Sequence, residues 1–469
     1  MSKTMLAELA RKGAELLSED DPVLYELLEQ EYERQNNSLA MVAASSIADL
    51  SVLVCEGMAT TNVTAEGYPG ARFHAGCRFV DGIEGLAIER AKLAFQARYA
   101  NVQPHSGTTA NQIVMFSLLK PGETILGLEL NSGGHLTHGA KPSVSGQYFN
   151  AVAYGLDQDA LIDYEQVARL AREHRPKLII TGASAYPRII DFQRFRRIAD
   201  EVGAFLLADI SHIAGLVVAG EHPSPINHAH FTTTSTYKQL YGPRGGLIMI
   251  GNDFDKPAPD GKQSLSEAIQ RAVFPFFQGT PNLSAIAAKA RALARTTTPE
   301  FKALARRIIV TARALAECFA SRGYQVLTGG TDNHIVLINL MEKGLTGLVA
   351  ELALEECHVI VNRNRIPQDR KAALITSGIR LGTNSLALRG MGAGEMARCA
   401  ALIDMVLSSL KVVSDREYEL DQAVKERVRA EVRRLCDDFP IPRYPAAHKA
   451  QDGRLYDEPA ASVLIGSEL

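Results

Sequence analysis

Residues 204–215 read AFLLADISHIAG. Five apolar residues run without interruption into Asp209, and Ser211 and His212 follow at once. A short apolar run without polar alternation suits a strand buried on both faces. Asp209 then stands at the carboxyl end of that strand, where open α/β sheets bind their ligands. Further runs of the same kind are TILGLEL (124–130), LIITGAS (178–184), HFTTTS (230–235) and GLIMIG (246–251). Each is bounded by Gly, Asp or Ser, and helical stretches such as LAIERAKLAFQARY (86–99) and TTANQIVMFSLL (108–119) share the same half of the chain. This alternation predicts an α/β fold with a mainly parallel sheet.

Beyond Pro299 the pattern changes. FKALARRIIVTARALAECFASRG (301–323) is a long amphipathic helix closed by glycine, followed by two strand candidates in YQVLTGGTDNHIVLINLM (324–341). A helix, TGLVAELALEECHV (346–359), and a short strand, GIRLGT (378–383), complete a smaller α+β unit. The expected division is a helical arm over 1–50, a large domain over 51–298, a small domain over 299–440 and a loose tail over 441–469.

Composition narrows the function classes. The chain has 469 residues, 46% hydrophobic and 22% charged, with a net charge of -3. There is no broad basic field for nucleic acid or an anionic membrane. No uninterrupted apolar stretch is long enough for a membrane span, and the first residues lack a secretory apolar core. The six cysteines form no CxxC pair, which predicts reduced thiols and a cytoplasmic location.

Five local features carry chemistry. Lys238, in TTTSTYKQLYGPRGG (232–246), sits among small hydroxyl residues and glycines rather than charges. It is either a reactive amine beside a carbonyl compound or a strand-end lysine reaching water. Asp209 is either the partner of a pyridinium nitrogen or a helix N-cap. HSGTTANQ (105–112), with Ser106, Gly107 and Thr108, reads as a phosphate cradle at a helix start or as an ordinary cap. GGHLTHG (133–139) offers His135 as a stacking ring, its glycines admitting a flat ligand; a zinc pair with His138 is the rival, although spacing reveals no third ligand, and no metal is expected. Arg380 in TSGIRLGT (376–383) is a carboxylate clamp or a surface ion-pair member. Together these five form the kit for pyridoxal phosphate acting on an amino acid.

Longer stretches carry a family resemblance. AEGYPGARF (65–73), YANVQPHSG (99–107), GASAYPRIIDF (182–192), YKQLYGPRGGLI (237–248), TGGTDNH (328–334) and VNRNRIPQD (361–369) are similar to the serine hydroxymethyltransferases, fold-type I pyridoxal phosphate enzymes. The resemblance implies Lys238 as the lysine that holds the cofactor aldehyde, Asp209 at the pyridine nitrogen and His135 on the ring. It implies His212 and Ser184 near the ring oxygen and Ser106, Gly107 and Thr108 at the phosphate. Arg380 would clamp the substrate carboxylate, and Glu66 would handle the proton at the hydroxymethyl group. Leu130, Gly133, Gly134, Leu136 and Asn364 fall where the family contacts tetrahydrofolate. A homodimer or homotetramer is implied, with Thr64, His74, Gly279 and Thr280 reaching the neighbour's site.

The chain also departs from the family pattern. Tyr237 replaces a histidine before the lysine, Ala44 a serine, Thr64 a phosphate-binding tyrosine, and Phe73–His74 a tyrosine pair. FPFFQGTP (274–281) replaces a glycine-rich loop, and Asn384–Ser385 replace Pro-Ala. His74 brings an imidazole where a phenol is expected, which makes it a catalytic candidate. The leading expectation is serine plus tetrahydrofolate giving glycine and methylene-tetrahydrofolate. The alternatives are a folate-independent aldolase or transaldolase that passes a glycyl unit to another aldehyde, and a cofactor-binding pseudoenzyme.

Overall fold

The computed structural model describes residues 4–445. Its centre is a seven-stranded sheet built from β1 (Tyr99–Asn101), β2 (Thr124–Leu128), β3 (Asn150–Tyr154), β4 (Leu178–Thr181), β5 (Phe205–Asp209), β6 (Phe231–Ser235) and β7 (Gly246–Ile250). The strand order is β1-β7-β6-β5-β4-β2-β3. All neighbours from β6 to β3 are parallel, and only β7 runs antiparallel to its two partners.

The uninterrupted apolar runs have the expected cause. Leu206 and Ala208 pack into one hydrophobic core while Leu207 packs into a second, on the opposite face. Ile179 and its neighbours Leu178 and Ile180 divide in the same way. Period-two alternation in a strand covered on both faces leaves no position for a polar residue. Each such leucine or isoleucine contributes about 1.5–3 kcal/mol by leaving water. The two strands that sequence patterning did not reveal, β1 and β3, are the edges. In β3 only Tyr154 is buried, so the apolar signal is absent there.

A four-stranded antiparallel sheet forms the second centre: β8 (Gln325–Val326), β9 (Ile335–Asn339), β10 (Asn362–Asn364) and β11 (Gly378–Gly382), in the order β8-β9-β11-β10. The helices Pro299–Ala320 and Gln422–Asp438 bury apolar faces in the core beside it, the latter through Val428, Val432 and Leu435. Leu39 and Met41 join this same core, with Leu39–Ala40 pairing in parallel with Val359–Ile360. The chain before them forms two helices, α1 (Met5–Asp20) and α2 (Pro22–Asn36), broken where Asp21 caps Pro22. Neither helix buries a residue, and Leu24, Leu27 and Leu28 are exposed. Residues 441–445 are anchored: the Tyr444 hydroxyl donates to the Ala48 carbonyl, and its ring stacks on Tyr32. The rest of the expected loose tail, 446–469, lies outside the described residues.

Candidate functional site

The parallel strands all end on one edge, and the segments leaving them converge there. Asp209 closes β5, as the sequence predicts, and it caps no helix: the next helix is preceded by Ile213. One carboxylate oxygen accepts from Asn111 Nδ2 at 2.7 Å and lies 3.3 Å from His138 Nε2. The other accepts the Ser211 backbone N–H at 3.0 Å. Burial alone would raise the carboxyl, but the His138 hydrogen bond and the charges of His138 and His135 hold it well below the usual range. Asp209 is therefore an anion at neutral pH, ready for a cationic partner.

Lys238 follows β6 by three residues and is 6% exposed. Its amine makes no hydrogen bond among the described residues and lies 5.8 Å from the Tyr237 ring centre. Burial lowers it to about 8, with Asp209 pulling the other way and Arg380 and Arg244 adding to the fall. The reading as a solvated strand-end lysine is thereby corrected. Below pH 8 the amine is an ammonium and inert; above it the neutral nucleophile dominates. The rate at which the apoprotein captures an aldehyde cofactor should therefore rise with pH to about 8 and level off above it. Stopped-flow absorbance from pH 6 to 10 checks this, and a rate still climbing at pH 10 would mean an ordinary solvated lysine.

Ser106 caps the helix Gly107–Leu118, its hydroxyl accepting the Thr109 N–H. Gly107 is pressed against β6: a Cβ there would stand 3.2 Å from Ser235 and 3.3 Å from the Ser211 hydroxyl. The Ser235 hydroxyl is buried without a hydrogen-bond partner among the described residues. An unsatisfied hydroxyl beside a helix start is a place for an anion's oxygen.

His135 reaches the same edge from the segment after β2, and burial lowers its imidazole to about 4. The glycines before it serve the chain's own packing. A Cβ at Gly133, whose φ is +96°, would stand 2.5 Å from the Ala185 carbonyl oxygen, and one at Gly134 2.1 Å from that of Leu128. Close backbone approach, not access for a flat ligand, requires them. The Gly133 carbonyl accepts the Ser184 and Ala185 N–H groups, which fastens this segment to the one after β4. His212 is buried, its Nδ1 has no hydrogen-bond partner among the described residues, and its ring stacks on His334 at 5.7 Å. Burial, then the charges of Lys238 and Arg380, hold it neutral.

Arg380, on β11, turns its guanidinium to neutral acceptors only: the Ser184 carbonyl at 2.5 Å and Asn362 Oδ1 at 3.0 Å. It has no carboxylate partner among the described residues, so the surface ion-pair reading does not hold. Burial lowers it to about 10, the mark of a cation lacking its counter-ion.

The structure also supplies the third metal ligand that spacing did not reveal. His135, His138 and Asp209 present ligand atoms within 4.8 Å of one another. A metal would use those three groups alone. Pyridoxal phosphate accounts for more of the site: the withdrawn amine for its aldehyde, the anionic Asp209 for its ring nitrogen, and the helix start with the orphan Ser235 hydroxyl for its phosphate. The residues present fit the group.

Sequence reasoning missed Asn111 as a site residue. It is fully buried and joins Asp209, Thr137 and Thr233. Its signal lay in HSGTTANQ, since Asn111 stands one helical turn after Gly107 and shares its face. Asn384 is a second. It receives Gln239 and the Tyr241 hydroxyl from the Lys238 turn and donates to the Ala43 carbonyl. The replacement there thus bridges the Lys238 turn to the segment carrying the replaced Ala44.

A second group of expected site residues includes Glu66, Gly279 and Thr280. The Ala65 N–H donates to Thr280, and Glu66 faces Gly279, where an added Cβ would be 3.3 Å from its carboxylate. Thr64, His74, Gly279 and Thr280 are exposed. No hydrogen bond among the described residues joins this group to Lys238, Asp209 or Arg380. Leu130 and Leu136 are exposed at the mouth of the first group, and Asn364 lies on β10 paired with Gly378.

The serine hydroxymethyltransferase family model matches residues 17–403. The serine hydroxymethyltransferase of Rhodospirillum centenum is 48% identical over 92% of this chain and 97% of its own length. That of Chromohalobacter salexigens is 47% identical over 90% and 97%. Serine hydroxymethyltransferase 2 of Ralstonia nicotianae is 47% identical over 91% and 97%.

Proposed function

The chain belongs to the serine hydroxymethyltransferase family and is a pyridoxal phosphate-dependent transferase, and from that premise we propose how its residues divide the work. The reaction is transfer of the hydroxymethyl carbon of serine to tetrahydrofolate, leaving glycine. The observation that carries the assignment is the meeting of an unpaired guanidinium, an unbonded buried amine and an anionic aspartate at one sheet edge.

Bound pyridoxal phosphate supplies an aldehyde for amines and a conjugated ring that accepts the electron pair of the breaking bond. Lys238 would hold the aldehyde. Asp209, ionised, would hold the proton on the ring nitrogen. Ser106, Gly107 and Thr108 would hold the phosphate, and His135 would meet the ring. His212 and Ser184 would serve the ring oxygen. Arg380 takes the substrate carboxylate in a two-point grip, which orients the bond to be broken. Leu130, Gly134, Leu136 and Asn364 receive the folate.

Glu66, His74, Gly279 and Thr280 act on the site of a second copy. The exposure of His74, Gly279 and Thr280 and the lack of any hydrogen bond from this group to Lys238 among the described residues support this, as do the uncovered leucines of α2. A homodimer or a pair of dimers follows. Mixing inactive Lys238→Ala and Glu66→Gln proteins under subunit exchange should restore about a quarter of wild-type activity, because one site of each hybrid dimer is intact. Activity no higher than the parents would place both residues in one subunit's site. Among the described residues no helix is long and apolar enough to cross a membrane. The free cysteines agree with a cytoplasmic location.

A second reading, transfer of a glycyl unit to another aldehyde without folate, draws support from one feature. Phe73 packs on Phe274, Phe276 on Phe277, and Phe73 and Phe276 are 76% and 65% exposed, an apolar surface on the two segments that carry Glu66 and Gly279. The visible spectrum of the holoenzyme with glycine separates the two readings. A long-wavelength band that grows strongly only when tetrahydrofolate is added is expected. A strong band with glycine alone, indifferent to folate, would overturn the folate reading in favour of the second.

A further inference from the structure

Lys289 is outside the chemistry described so far. It lies on the helix Leu283–Thr296 and is 2% exposed. Its ammonium donates three hydrogen bonds, to the carbonyls of Val102 at 2.6 Å, Pro104 at 3.0 Å and Gly246 at 3.0 Å. Val102 and Pro104 lead directly into Ser106 and Gly107, while Gly246 opens β7 at the end of the Lys238 turn. The Pro104 carbonyl also accepts the Gly246 N–H at 2.9 Å. The seam is tight: a Cβ on Gly246 would stand 2.3 Å from the Ser106 carbonyl oxygen, and one on Gly245 2.3 Å from Lys289 Cε.

Lys289 forms no ion pair among the described residues. A buried cation without a counter-ion is costly, and a neutral amide could satisfy some of the same carbonyls. Burial pushes the amine down to about 7, with Glu84 pulling the other way. Glu84 itself is engaged by Arg72 at 2.5 Å. His105, two residues behind Gly107, is lowered by burial and then by the Lys289 charge. A buried positive charge behind a helix start lacks one thing, an anion in front of it.

We infer that Lys289 is a positioning residue for the cofactor phosphate, locking Val102–Pro104 against Gly246 and adding its charge to the anion preference of the Ser106–Gly107 helix start. The inference rests on reading Ser106–Gly107 as the phosphate site. It predicts an effect on phosphate recognition that a purely structural lysine would not have.

The test compares the dissociation constants of pyridoxal phosphate and of pyridoxal, which lacks the phosphate, for the full-length apoprotein. In Lys289→Met the preference for the phosphorylated form should fall by about tenfold or more, with pyridoxal affinity nearly unchanged. Gly245→Ala keeps the charge but displaces the lysine tip, and should lower the same preference by about threefold; it decides the matter alone where Lys289→Met does not fold. An unchanged preference, or an equal loss for both ligands, would overturn the inference. Ser106→Ala separates this from failure of the underlying assignment. A reduced preference in Ser106→Ala with none in the Lys289 variant sinks only the role of Lys289. No change in Ser106→Ala sinks the phosphate site itself.

Discussion

The Lys238→Ala protein is expected to carry no borohydride-fixed cofactor and to cleave serine about 10³- to 10⁴-fold more slowly than wild type. The side chain is withdrawn from water, its amine makes no hydrogen bond among the described residues, and burial lowers it to about 8, so a far larger neutral fraction is present near neutral pH than an ordinary lysine has. Alanine removes the buried amine proposed to hold the aldehyde. The pocket itself should survive. Asp209 keeps Asn111, His138 and Ser211, and the Tyr241 hydroxyl still donates to the Asn384 carbonyl. Cofactor should therefore still bind, without a covalent link. Borohydride reduction followed by mass spectrometry reads the link, and serine cleavage reads the rate. A reduced adduct that persists in the variant would move the covalent role to another lysine.

Asp209→Asn should lower kcat/KM by about 10²- to 10³-fold with little change in fold. Asparagine matches the shape but not the charge. Losing one member of a desolvated charge pair costs about 2–5 kcal/mol. Two donors, from Asn111 and Ser211, now bond to the carboxylate, with His138 beside it, and an amide can accept from one side only. The cofactor ring nitrogen would then lose its proton more readily, and the ring would accept electrons less well. Steady-state kinetics on serine at saturating cofactor measures the effect. A loss of less than about threefold would mean that Asp209 is paired with its own neighbours alone, and the site's electronic logic would need another anion.

Neither expectation needs more than local sequence to be framed, but their physical grounds differ. The run into Asp209 was legible because a strand covered on both faces must be apolar throughout, so a carboxylate at its end stands out. The same rule concealed the edge strands: β3 is mostly exposed, and β1 is only three residues long. Lys238 was legible only as an oddity of context. Its withdrawn amine follows from where β6 ends within the sheet, which composition does not encode. For Arg380, the local motif left both a clamp and a surface ion pair open. The choice came from the acceptors around it, both uncharged and one from the distant segment after β4.

By itself the sequence determined the class of fold, the buried strands along the chain and the family, and it named candidate residues for the chemistry. These are encoded locally, in apolar runs, turn residues and long motifs. Tertiary structure alone decided the partners. Asn111 and Asp209 are 98 residues apart, and Lys289 reaches carbonyls 187, 185 and 43 residues away. Tertiary structure also left Glu66, His74 and Thr280 without a hydrogen bond to Lys238 among the described residues, and the last two exposed. Hydrogen bonds act over about 3 Å, whereas sequence patterning reports only neighbours along the chain. Contacts between distant segments therefore become readable only once the sheet has brought its strand ends to one edge.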